Sequence, residues 1–83
     1  MYRKKIQGGE GMDKTELKYE MDKFGDNQST LADAMGLSRT RLNYKINEKY
    51  GAVFTQPELK FIKDRYKLSA QRMEEIFFTH NVS

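Results

Sequence analysis

The stretch QSTLADAMGLSRTRLNYKIN, residues 28–47, has the clearest structural pattern in the chain. Asn27 can cap a first helix that ends near Met35, because its side-chain oxygen can accept from the free N–H groups of the first turn. Gly36 follows at a position where a left-handed conformation costs nothing without a Cβ. Ser38 can cap a second helix. The expected inward positions are Leu31, Ala32 and Met35 in the first helix and Leu42 and Ile46 in the second. The stretch predicts two helices joined by a tight turn.

A further helix is predicted before this stretch. From Asp13 onward, apolar residues recur at the i, i+4 and i+7 spacing that marks one side of a helix. These residues are Leu17, Met21 and Phe24. Gly25 and Asp26 then end the pattern, so the chain is expected to turn before the next helix begins.

Two more helices are predicted after the stretch. Thr55 and Glu58 have the spacing of a capping box, and Pro57 lies in the first turn, where its missing N–H would have no partner anyway. Ser69 can cap a last helix that runs to about Phe78. The expected buried residues are Leu59, Ile62 and Tyr66 in the first of these helices and Met73, Ile76 and Phe77 in the second.

Apolar pairs with the spacing of a hydrophobic staple flank three of the predicted helix starts. The pairs are Leu37/Leu42, Phe54/Leu59 and Leu68/Met73. Three separate helix starts, each marked by such a pair, favour a compact array of crossing helices over one long coiled coil. Strand signals are absent, and the run 50–54 is expected to be an ordered loop that packs Val53 and Phe54 inward. We therefore predict an all-α fold, a compact bundle of five helices.

The composition argues against an enzyme or a metalloprotein. The chain has 83 residues, no cysteine and one histidine, His80, close to its end. A disulfide framework, a thiolate zinc site and a cysteine nucleophile are therefore excluded, and a lone histidine suits neither a catalytic triad nor a two-histidine metal site. The neighbouring acids Glu74 and Glu75 do not face each other on a helix, so they form no acid–base pair. We expect no catalytic residues, no metal and no cofactor.

Apolar runs are too short for a membrane span, and residues 1–7 do not resemble a signal peptide, so we expect a cytoplasmic protein without membrane contact. The net charge of +3 is mild but unevenly distributed. Arg39, Arg41 and Lys45 fall within a stretch that contains no acid. Residues 1–11, with three glycines and the cations Arg3, Lys4 and Lys5, are expected to form a flexible basic arm ahead of one domain at 12–83.

The stretch 28–47 resembles the helix-turn-helix of phage repressor and Cro-type proteins, within the larger group of Xre-like regulators. The matching residues are Gln28, Leu31, Ala32, Gly36, Leu37, Ser38, Leu42 and Ile46. The segment FTQPELKFIKDRYKLSAQRMEEIFF, residues 54–78, is similar to the C-terminal pair of helices in small phage-encoded members of this group. The resemblance implies a lambda-repressor-like bundle and a phage or prophage transcriptional regulator that occupies operator DNA in a bacterial host.

In the docking mode of this family, the second helix of the motif, residues 38–47, enters the major groove of double-stranded DNA. With Leu42 and Ile46 inward, the opposite side carries the base-reading candidates Arg39, Thr40, Asn43 and Tyr44. Arg39 suits guanine, Asn43 suits adenine, and the other two suit the thymine methyl group. The phosphate candidates are Gln28, which the resemblance implies, and Ser38, Arg41 and Lys45 beside it.

An alternative is a protein–protein interaction module on the same fold, acting as an antirepressor or adaptor. The polar and cationic side of the helix 38–47 favours DNA over such a partner. Specific binding favours a homodimer on a two-fold site, although the sequence indicates no dimer helix. No small-molecule ligand is expected, because the chain ends after the fifth helix, so switching would come from competition, degradation or a partner protein.

Overall fold

Five α-helices and one short 3-10 turn make up the part of the chain that the computed structural model describes, residues 12–78. The helices are α1 (Lys14–Lys23), α2 (Gln28–Met35), α3 (Arg39–Asn47), α4 (Gln56–Arg65) and α5 (Ala70–Phe77), and the 3-10 turn is Lys49–Gly51. Within this range the structure contains no strand. The predicted all-α bundle of five helices is therefore confirmed. The predicted arm at 1–11 and His80 lie outside the described residues.

Each predicted cap accepts a hydrogen bond from the first turn of its helix. The caps are Asn27 for α2, Ser38 for α3, Thr55 for α4 and Ser69 for α5. Thr55 and Glu58 form the expected capping box, with Thr55 N–H donating to Glu58 Oε1 at 2.9 Å. Gly36 adopts the left-handed conformation, with φ 73° and ψ 26°, so that α2 ends and α3 begins after a tight turn.

The core collects one side of every helix. Its buried residues are Leu17, Met21, Leu31, Ala32, Leu42, Ile46, Leu59, Ile62, Tyr66, Leu68, Met73, Ile76 and Phe77. Met35, Leu37 and Phe54 are partly buried against this core, and the Phe54 ring lies edge-on to that of Phe77. Both residues of each predicted staple pair thus lie in or against the core, as the sequence pattern indicates.

Two residues expected inside are exposed. Val53 precedes Phe54 in an extended connection where neighbouring side chains point to opposite sides, so Phe54 faces the core and Val53 is 59% exposed. Phe24 follows the last residue of α1, where the chain turns away, and one side of its ring is left open. The ring still packs on Tyr66, with 5.4 Å between the ring centroids.

A carboxylate in the α1–α2 turn connects that turn to α4. Asp26 accepts from Arg65 Nε at 2.7 Å, from Arg65 Nη2 at 3.0 Å, from the Tyr66 hydroxyl at 2.6 Å and from the Thr30 hydroxyl at 2.8 Å. The hydrogen bonds from Arg65, with smaller contributions from Tyr66 and Thr30, hold the pKa of Asp26 well below its usual range, although burial opposes them. Asp26 is therefore ionised and bonded on every side.

A single guanidinium connects α5 to α1. Arg72 donates to Glu16 and Glu20 on α1, each at 2.7 Å, and to Glu75 on its own helix at 3.0 Å. Near this cluster the Asp13 N–H donates to the last turn of α5, at the carbonyl of Ile76. Charged hydrogen bonds of this kind are stronger than neutral ones, so they hold α5 against α1.

We expect Asp26→Asn to lower the free energy of unfolding at pH 7 by roughly 2–4 kcal/mol, because it leaves the Arg65 charge without its partner. The folded-state pKa of Asp26 is depressed, so its stabilisation is complete above the unfolded pKa of about 3.9 and is lost as the pH falls below that value. Chemical denaturation should show the same difference between wild type and variant at pH 7 and pH 5 and a smaller difference at pH 3, because the folded-state pKa lies far below the unfolded one.

The matched control is Asp64→Asn, which removes an ion pair to Lys60 of 3.0 Å between side chains that are 62% and 75% exposed. Such a pair contributes no more than about 0.5 kcal/mol. Equal losses of stability in the two variants would contradict the role assigned to Asp26.

Candidate nucleic-acid interface

Helix α3 packs one side against the core and leaves the other open. Its apolar residues Leu42 and Ile46 are 0% and 6% exposed. Of the base-reading candidates, Arg39 and Thr40 are exposed, whereas Asn43 and Tyr44 are half-buried. The phosphate candidates Ser38 and Arg41 are exposed and Gln28 is half-buried. The four base-reading candidates thus differ in how much of each side chain a partner could reach.

The structure brings Gln28, Asn43 and Arg39 together at the junction of α2 and α3. The Asn43 Nδ2 group donates to Gln28 Oε1 at 3.3 Å. Gln28 and Arg39 also line one groove of about 370 Å³, which α1 borders on its other side and which includes the carboxylates of Asp22 and Asp26. Because the bond uses the Gln28 side-chain oxygen and one Asn43 side-chain hydrogen, the Gln28 amide nitrogen and the Asn43 side-chain oxygen Oδ1 remain available for an outside partner.

The beginning of α3 is cationic. The nine residues of α3, RTRLNYKIN, include no acid, and within residues 12–78 neither Arg39 nor Arg41 forms an ion pair. Ser38 Oγ accepts from the Arg41 N–H at 3.1 Å, which leaves the hydroxyl hydrogen free to donate. The positive end of the helix dipole adds to the two guanidinium charges, so this end of α3 attracts anions.

An aromatic pair, not identified from the sequence, lies at the other end of α3. The rings of Tyr44 and Tyr50 meet edge to face with 5.0 Å between centroids, and Tyr50 is 86% exposed. Tyr50 has φ 56° and Glu48 has φ 55°, the left-handed region that non-glycine residues seldom adopt. No side-chain pattern signals this conformation, and only Gly51, with φ 74°, hints that the segment turns sharply.

The assignment of Lys45 as a phosphate contact is wrong. Lys45 is only 7% exposed, and its ammonium group donates to the Val53 carbonyl at 3.0 Å and pairs with Glu58 Oε1, also at 3.0 Å. The reason is its neighbours, because the connection at Val53 and the start of α4 at Glu58 cover the last turn of α3, whereas nothing comparable covers Arg39 in the first turn. The cations left on the open side of α3 are Arg39 and Arg41.

Neither a metal cluster nor a membrane-spanning helix is seen in this part of the chain. Among residues 12–78, no three histidine or acidic side chains gather closely enough to hold a metal ion. In the same range, no helix combines the length and the apolar character needed to cross a membrane.

Substitutions on the open side of α3 should leave the fold intact. We expect Arg39→Ala, Thr40→Ala and Asn43→Ala to change the free energy of unfolding by less than about 1 kcal/mol each, because these side chains contribute little to the core. Leu42→Ala should cost about 2–5 kcal/mol, since it removes a fully buried side chain. Urea denaturation of the four variants measures the difference, and a large loss in any of the first three would assign that side chain to the fold.

The comparisons with known proteins gave no match, neither to a family model, nor to a curated protein, nor to a solved structure. The role of this surface must therefore be argued from its own chemistry.

Proposed function

We propose that this chain is a sequence-specific DNA-binding transcriptional regulator of the phage or prophage repressor and Cro type. It would occupy operator DNA with α3 in the major groove, as a helix-turn-helix of the lambda-repressor-like kind. The observation that carries the proposal is the open side of α3, which is polar, cationic and free of acid, beside Gln28 at the start of α2. This is the chemistry that a duplex requires, with base edges in the groove and phosphates along its border.

The contacts between side chains suggest how readout and positioning are combined. Arg39 is exposed and unpaired within residues 12–78, so it can donate two hydrogen bonds to guanine O6 and N7. Asn43 keeps one side-chain N–H and its side-chain oxygen Oδ1, the pair of groups that recognises adenine. Gln28 bonds to Asn43 while its amide nitrogen can donate to a phosphate. A phosphate contact at Gln28 would therefore also orient Asn43 for base reading.

The remaining candidates have simpler roles in the proposal. Thr40 and Tyr44 would contact thymine methyl groups, while Ser38 and Arg41 would hold phosphates beside the groove. A single α3 spans few base pairs, so specific binding would use a homodimer on a two-fold operator. The proposed action is occupancy of DNA in the bacterial cytoplasm, without catalysis, cofactor or small-molecule ligand.

A protein-interaction module is the second candidate, because two large apolar side chains of the α3–α4 connection are exposed. Tyr50 is 86% and Val53 is 59% exposed. An antirepressor or adaptor could bind a partner protein through them. The two candidates differ in their dependence on salt, since only DNA binding releases condensed counterions.

A salt titration of binding to duplex DNA tests the proposed class of function. We expect the logarithm of the binding constant to fall linearly with the logarithm of salt concentration, by about 0.9 for each phosphate contacted. Fluorescence anisotropy of a labelled duplex at several salt concentrations measures this slope. Absence of binding at low salt, or binding without salt dependence, would favour the interaction module.

Base reading is tested with an operator selected from a random duplex pool. Arg39→Ala should weaken operator binding by about 1–3 kcal/mol while leaving non-specific binding little changed, because a base contact is lost. Gln28→Ala should weaken binding to both duplexes, because a phosphate contact carries no sequence information. Lys60→Ala on α4 serves as the control. If Arg39→Ala and Gln28→Ala each lose the same affinity for the operator as for the non-specific duplex, Arg39 is not a base reader.

A further inference from the structure

Lys45 lies on α3, the helix that would read DNA in the proposed function, but its ammonium group binds partners inside the protein. Its side chain is 8% exposed, and its ammonium group binds the Val53 carbonyl and the Glu58 carboxylate. A buried ammonium has a high desolvation cost, and an apolar side chain of similar size would often fill such a position at least as well. The effect of the buried ammonium on stability is therefore less informative than the two bonds that it makes and the parts of the chain that these bonds hold together.

The first consequence of these bonds is a connection from α3 to the beginning of α4. Glu58 Oε1, which pairs with Lys45, also accepts from the Thr55 N–H at 2.9 Å. The same carboxylate thus caps α4 and holds the ammonium of α3. Burial raises the pKa of Glu58, but hydrogen bonds from Thr55 and Lys45 outweigh it, so the pKa is lowered and the carboxylate stays ionised.

The second consequence is that the two ends of the connection between α3 and α4 are held together. The bond from Lys45 to the Val53 carbonyl spans eight residues along the chain. Between them, Glu48 and Tyr50 hold left-handed conformations with φ 55° and 56°. Such conformations persist only where the surrounding contacts determine them, because each is unfavourable for a residue with a Cβ. Lys45 supplies a contact at the far end of this strained segment.

The strained segment in turn supports the open side of α3. Tyr50 places its ring against that of Tyr44, which is one of the base-reading candidates. We propose that Lys45 is a positioning residue, whose buried ammonium holds the segment 48–53 and the α4 cap against α3 and thereby fixes Tyr44 and the end of the reading surface. The inference rests on the proposed function of α3, and Lys45 itself contacts no DNA.

Three variants separate positioning from stability. Lys45→Met keeps the length of the side chain but removes the ammonium. The double variant Lys45→Met with Glu58→Gln also removes the carboxylate that the first change leaves without its partner, so part of the stability should return. Lys60→Met is the matched control, because Lys60 also pairs with an acid at 3.0 Å but is 75% exposed.

Hydrogen exchange tests the structural step without DNA. The Ala52 N–H donates to the Lys49 carbonyl at 2.9 Å inside the strained segment. We expect its exchange to accelerate about ten-fold or more in both Lys45 variants, because the segment opens when its far end is released, and to stay unchanged in Lys60→Met. Unchanged exchange in the Lys45 variants would overturn the proposal.

DNA binding tests the functional step. Lys45→Met should leave the salt slope unchanged, whereas Arg41→Met should reduce it by about 0.9, because only Arg41 is proposed to contact a phosphate. The ratio of operator to non-specific affinity should fall about ten-fold in Lys45→Met and stay low in the more stable double variant. A ratio that returns with stability, or a reduced slope in Lys45→Met, would overturn the positioning role.

The same experiments distinguish the two proposals from each other. If no variant, including the wild type, binds duplex DNA at low salt, the proposed function fails, and the DNA-reading part of the Lys45 proposal fails with it. Accelerated exchange would then still assign Lys45 to the α3–α4 connection. Binding by the wild type together with unchanged discrimination in Lys45→Met would overturn only the positioning role.

Discussion

Burial of one apolar side in a shared core is the constraint on which all the helices of residues 12–78 depend. None of the five exceeds ten residues, and isolated helices of that length are marginal in water. Each helix must therefore give its apolar side to the core, where Leu31, Leu42, Ile62 and Ile76 are fully buried. For α3, burial of the apolar side also determines which residues are accessible. With Leu42 and Ile46 inside, Thr40 and Tyr44 lie on the opposite side of α3, while Arg39 is exposed as the first residue of the helix. The packing that stabilises α3 therefore leaves its polar residues accessible.

Five of the basic residues form two groups that differ in their partners, a difference that the net charge does not show. Arg65 and Arg72 bind carboxylates from distant parts of the chain, and Lys45 binds Glu58 and a carbonyl group. These cations belong to the fold. Arg39 and Arg41 have no acidic partner within the described residues and remain available to an outside anion. The argument for a DNA partner therefore depends on two exposed guanidinium groups beside the Gln28–Asn43 bond, more than on a net charge of +3.

Much of the fold could be predicted from local signals, because the relevant interactions lie within four residues along the chain. Caps such as Ser38 and Thr55, the glycine at position 36 and the apolar spacing of each helix were sufficient to place the five helices. The failures have equally physical causes. Val53 points outward because the connection is extended there. Lys45 was treated as a surface charge by residue type, but the connection at Val53 and the start of α4 at Glu58 bury it.

Local patterns along the chain are enough to locate the helices, their caps, the Gly36 turn and most of the core, and they show that α3 has a polar side. The tertiary structure is needed to see which charged side chains bind partners inside the protein and where the base-reading candidates meet. Asp26 and Arg65 are 39 residues apart, Glu20 and Arg72 are 52 apart, and Gln28 meets Asn43 across 15 residues. Such pairings depend on how helices cross. The free energy of a buried ion pair comes from burial and geometry that no short window of sequence contains.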